Sequence, residues 1–147
     1  MTTPRAVWPR ALAVSLLALG FLGCFATVPT EVPTVRPIKA EDLKTLAGTW
    51  EGVYNPPDGR SFPLSLQINA NQTYETRADA LSSGGAVQVR EDKLVLIPRD
   101  ASGTIVASPS TATLLVFPDG IRVLSGTGAG ETGPFSFEVR SPEPKKK

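Results

Sequence analysis

The 147 residues hold one cysteine and no histidine, and that pairing bounds the chemistry before any fold is considered. Cys24, at the end of an apolar run, carries the only thiol. In an exported chain a lone cysteine cannot close an intramolecular disulfide, so its uses are an intermolecular bond, a free thiol or covalent lipid. Without histidine the commonest general base and the commonest transition-metal ligand are missing, which removes serine triads and zinc sites of the usual kinds. Asp58, Asp79, Asp92, Asp100 and Asp119 stand singly, mostly where aspartate serves a turn by hydrogen-bonding nearby backbone. No short stretch gathers the several oxygen ligands of a calcium loop. Glu91 and Asp92 are adjacent, and neighbours on a strand project to opposite faces, so they do not form the facing carboxylate pair of glycoside cleavage. The chain therefore reads as a non-enzyme with no metal site and no cofactor.

The segments around Cys24 explain its position better than any catalytic role does. Arg5 and Arg10 precede an uncharged stretch from Ala11 to Val28, and a basic start, an apolar run and a small residue come in the order of an export signal. The uncharged stretch is near the minimum length for a membrane-spanning helix, so an uncleaved anchor stays open. So does cleavage after Ala26 with release of a soluble protein. Between Thr27 and Ala40, Pro29, Pro33 and Pro37 recur every fourth residue with no glycine. Such composition favours an extended spacer of roughly 40 Å, at about 3.1 Å per residue. At the other end Pro142, Pro144 and three lysines, Lys145 to Lys147, make a solvated tail, with a weak contact to anionic headgroups as the second reading. The expected organisation is a signal over 1–23, Cys24 with a Pro/Thr-rich linker over 24–40, one domain over 41–141 and the tail over 142–147.

From Glu41 to Ser141 twelve acidic residues face eight basic ones, which argues against nucleic acid as a partner, since phosphate neutralisation needs a concentrated basic face. The domain is long enough for one hydrophobic core and too short for two. Period-two alternation is clearest at Phe62, Leu64, Leu66 and Ile68, and it recurs at Tyr74 to Ala78, Val87 to Arg90 and Phe135 to Arg140. Lys93 to Ile97, Thr111 to Phe117 and Ile121 to Leu124 are apolar on nearly both faces. Turn chemistry separates these runs: Asn55 to Gly59, Asn69 to Gln72, Ser82 to Gly85, Glu91-Asp92, Pro118 to Gly120 and the glycine-rich Gly126 to Gly133. Gly48 to Tyr54 adds a strand and Thr104 to Ala107 is a further candidate. The fold class expected is all-β, an antiparallel up-and-down meander of about eight strands closing into a barrel and preceded by a short helix over Ala40 to Ala47. Large apolar residues on the inward faces predict a mostly filled interior, leaving the ends and two loops, Gly126 to Gly133 and Asn55 to Gly59, as places for recognition.

Two resemblances add to this reading. Phe21-Leu22-Gly23-Cys24 resembles the lipobox of bacterial lipoproteins, with Phe21 in the place of the usual leucine and Leu22 in that of a small residue. The resemblance implies that Cys24 is the lipidation site, carrying a diacylglyceryl thioether and, after cleavage, an amide-linked acyl chain such as palmitate. Because several acyl chains give stable anchoring where one does not, it also implies a membrane-bound cell-envelope protein. Phe25 in place of the aspartate of an inner-membrane retention signal points to the outer membrane. Gly48-Thr-Trp50, after a short helical segment, is similar to the Gly-x-Trp opening of lipocalin-like barrels. That resemblance implies that Trp50 plugs one barrel end, and that a late arginine, for which Arg140 is the positional candidate, packs over it. The function expected is a lipid-anchored envelope lipoprotein that binds an apolar small molecule or lipid. The alternative is a filled-barrel interaction or structural lipoprotein, an assembly factor or hydrolase inhibitor with an envelope protein as partner.

Overall fold

The computed structural model describes residues 31–79 and 81–141; the signal segment, Cys24 and the tail lie outside them. Eight strands form the barrel: β2 (Gly48–Asn55), β3 (Phe62–Ile68), β4 (Thr73–Ala78), β5 (Leu81–Arg90), β6 (Lys93–Pro98), β7 (Ser110–Val116), β8 (Arg122–Gly130) and β9 (Gly133–Arg140). Each pairs antiparallel with the next, and β9 returns to β2 from Glu51 opposite Arg140 to Asn55 opposite Ser136. The sheet is therefore a closed meander, and the expected fold class is the one that forms. Closure removes the free edges that an open sheet of this length would offer to other chains.

The strand register follows the sequence pattern. On β3, Leu64, Leu66 and Ile68 are buried inside while Pro63 is exposed and Ser65 and Gln67 are half-buried outside. The tight β5–β6 hairpin has Glu91 and Asp92 both at positive φ, 51° and 61°, the backbone of a two-residue turn whose twist matches the strands. A 3₁₀ turn over Ala40–Asp42 runs into a single helical turn, α1 (Leu43–Leu46), with the Asp42 carboxylate accepting from the Lys39 backbone N–H at 2.9 Å. Leu43 and Leu46 go into the core.

Three sequence expectations change. First, the linker does not run free to residue 40. Thr34–Arg36 forms a ninth strand, β1, along the stretch of β7 from Leu114 to Val116 that lies beyond its pairing with β6. The Ile38 N–H donates to the Asp92 carbonyl at 2.9 Å and its side chain is fully buried. The domain thus begins near Thr34, because β7 is longer than β6 can cover and its surplus backbone groups need a partner. Second, Gly126 to Gly133 is mostly strand: β8 continues to Gly130 and only Glu131 and Thr132 turn. Inward-facing Gly126 and Gly128 are required there, since a Cβ on either would collide with the Phe137 or Phe135 ring lying across it from β9. Third, Ser82 to Gly85 lies within β5, paired with β4, and Thr104 to Ala107 contributes only an isolated bridge from Ile105 to Arg99.

Candidate functional site

The two ends of the barrel are built differently, and β2 carries one aromatic to each. Gly48, Trp50, Gly52 and Tyr54 alternate on its inner face. Trp50 and Tyr54, four positions apart, are separated by roughly 13 Å along the strand.

At the Trp50 end α1 crosses the opening. A single helical turn leaves its last carbonyls without partners inside the helix. The Trp50 indole Nε1–H donates to the Leu46 carbonyl at 2.9 Å and an Arg122 guanidinium N–H to the Thr45 carbonyl at 3.1 Å. The same guanidinium lies 5.4 Å from the centroid of the Trp50 ring. Trp50, Leu46, Ile38, Leu94 and Leu124 are all buried at this end, and it is closed. The arginine over the tryptophan is Arg122 and not Arg140. Residues 122 and 124 share the inner face of β8, whereas on β9 the buried Val139 points inward and Arg140 therefore outward, exposed and 3.5 Å from Glu138. Parity along the strand decides which arginine reaches the plug.

At the Tyr54 end the barrel is open. A cavity of about 440 Å³ enters between the strands, walled by Leu64, Leu66, Tyr74, Ala78, Leu96 and Phe137, with Tyr54 and Phe135 on one side of its mouth. Their rings sit 5.3 Å apart at 52°. The expected filling fails at this end for a specific reason. Inward positions there are occupied by Ala78 on β4, Ser83 on β5, Ser110 on β7 and glycines on β8. Phe135 and Phe137 lie over those glycines, along the wall and not across the lumen. Phe62, expected inside, sits at the rim under the Arg60 guanidinium, 5.1 Å from its ring centroid.

Apart from Glu131 in the turn at the mouth, the polar side chains lining the cavity are neutral hydroxyls. Ser110 is the one buried polar residue among the described residues. Thr76 donates to the Ser83 carbonyl at 3.2 Å. Burial raises the Tyr74 phenol above its ordinary value, partly offset by a hydrogen bond with Ser83. Around the mouth the Leu81 and Val106 side chains are exposed, and both reach the cavity. The segment from Arg99 to Pro109, which carries Val106, is held by Asp100: its carboxylate accepts from Ser102 Oγ at 2.6 Å and from the Ser102 and Thr104 N–H groups at 2.9 Å. Those bonds, with that of the Ser102 hydroxyl leading, keep the Asp100 carboxyl below the usual carboxylate range.

Of the residues singled out from sequence, Trp50 is at the closed end, Arg140 is on the outer surface, and Cys24 lies outside the described residues. Tyr54, Tyr74, Ala78 and Ser110 were not anticipated as cavity residues. The available signal was the concentration of small residues at one end of successive inward registers. Among the described residues no group of three or more acidic or sulfur side chains is placed to hold a metal ion. Comparison of the chain with protein-family models, with curated proteins and with solved structures finds no match.

Proposed function

We propose that this chain is a cell-envelope lipoprotein, anchored through acylated Cys24, whose lipocalin-like barrel takes an apolar small molecule or lipid into its open end. It acts in binding, without catalysis. One observation carries the reading: a cavity of about 440 Å³ walled largely by apolar side chains at the end opposite the Trp50 plug, within the size range of small-molecule sites. The anchor rests on the lone cysteine and its resemblance to a lipobox, and the outer membrane on Phe25.

Native mass spectrometry and organic extraction of the protein purified from its own envelope test the binding claim, with a co-purifying apolar compound as the expected result. Protein with no bound compound, and with no affinity for added apolar probes, contradicts it. Metabolic palmitate labelling lost in Cys24→Ala tests the anchor.

A second reading, a barrel that docks an envelope protein, has one observation in its favour: Leu81 and Val106, which line the cavity, are exposed, as is the adjacent Ile105. Crosslinking from Arg60 to a single envelope protein, with no small molecule recovered, is the result that favours it.

A further inference from the structure

We infer that the ligand of this cavity is an amphiphile with a cationic headgroup, and that carboxylate or phosphate headgroups are selected against. The inference rests on the binding reading above and adds the charge of the ligand to it.

Among the described residues lining the cavity the one charged side chain is Glu131, in the β8–β9 turn at the mouth. The wall otherwise offers hydroxyls, from Thr76, Ser83, Ser108 and Ser110 among others. A second recess shares Tyr54, Ala78 and Leu81 with the cavity and extends the mouth to Asp58, Arg60 and Asp79. Arg60 is the one cation there, and it is already engaged. Its guanidinium lies 2.6 Å from the Asp58 carboxylate and its Nε–H donates to the same oxygen at 2.7 Å, while its face stacks on Phe62. That contact, the side-chain hydrogen bond first, holds the Asp58 carboxyl below its usual range. Glu131 and Asp79 form no ion pair among the described residues. Arg99 lines a separate outer recess with Glu75 and Asp100, and Arg77 shares another outer recess with Asp79 and Glu51 without an ion pair among the described residues.

An alkyl chain in the apolar lumen leaves its headgroup at this rim. An anionic head there is repelled by two carboxylates that form no ion pair among the described residues. A protonated amine is attracted to both of these exposed carboxylates, most strongly at low salt. An alcohol head, able only to exchange hydrogen bonds with the wall hydroxyls, falls between.

The test uses the full chain in a non-ionic amphipol at neutral pH and low salt, loaded with the neutral fluorescent probe N-phenyl-1-naphthylamine. Dodecylamine, dodecanol and laurate are compared as displacers below their micellar concentrations, and an Ala78→Leu chain with a blocked lumen is subtracted as the partition control. The expected order is amine, alcohol, laurate, with amine and laurate differing by about tenfold or more at low salt. The ratio should fall as salt is raised and collapse in the Glu131→Gln, Asp79→Asn double variant. Asn suits residue 79, whose φ is 52°, because it tolerates the left-handed region. Laurate displacing the probe as well as the amine, or a ratio unchanged in the double variant, overturns the inference while leaving the binding reading in place. No probe signal beyond the blocked control removes the binding reading and this inference with it.

Discussion

The Arg122 guanidinium lies 5.4 Å from the centroid of the Trp50 ring, and Arg122 also donates to the Thr45 carbonyl. The two residues together finish α1, whose last carbonyls they take, and a cation is favoured at that negative helix end. Arg122→Ala is expected to destabilise the domain by about 1–2 kcal/mol, the usual worth of a cation–π contact with a hydrogen bond, and to alter Trp50 emission. Arg140→Ala should stay within about 0.5 kcal/mol, as for an ordinary surface change. Chemical denaturation of both variants checks the pair; a larger loss for Arg140→Ala contradicts the assignment.

Ile38 is fully buried and is tied to Asp92 through its backbone, so the segment before the helix belongs to the fold. Ile38→Ala should cost about 2–5 kcal/mol, lowering Tm by roughly 10 °C or more in a domain of this size. A chain starting at residue 41 should be less stable still and prone to associate through the uncovered β7 edge. Equal melting of chains starting at 33 and at 41 would show that β1 and Ile38 contribute nothing.

The alternation of Leu64, Leu66 and Ile68 and the turn at Glu91-Asp92 are local signals, and they specified strand, face and hairpin directly. Gly126 to Gly130 misled because glycine is favoured in turns, whereas here the cause is non-local, two Phe rings arriving from β9. Strand β1 was hidden between Pro33 and Pro37 and is too short to show a period. Arg122 and Arg140 differ by parity on their strands, which needs exact strand bounds. The cavity is legible only once inward registers are aligned around the barrel, because Ala78, Ser83 and Ser110 say little singly.

Tyr74 is buried and its phenol stays neutral beyond the ordinary value of 10.0. Its folded pKa is raised, so the stability linked to it is fully present below the unfolded value and is lost as pH rises through the folded one. The barrel should lose stability above about pH 10, and Tyr74→Phe should blunt that loss. Phenolate absorbance followed alongside circular dichroism checks this: in the parent chain the late ionisation should coincide with unfolding. Unchanged alkaline sensitivity in Tyr74→Phe contradicts it.

Ala78 is buried at the wall of the lumen, and the space beside it is free. Ala78→Leu should fill the open end, reduce binding of an apolar probe by at least about tenfold and leave melting unchanged or slightly raised, since the added methylenes enter a void. Loss of folding instead would mean that the cavity walls cannot take the volume.

The most direct test of the ligand-binding account is a methyl NMR titration with a neutral apolar probe. Saturable shifts are predicted at Leu64, Leu66, Leu81, Leu96 and Val106, which line the cavity, with Ile38, Leu43 and Leu46 beneath the Trp50 plug unmoved. No saturable shift at the open end, or shifts confined to the closed end, would contradict it.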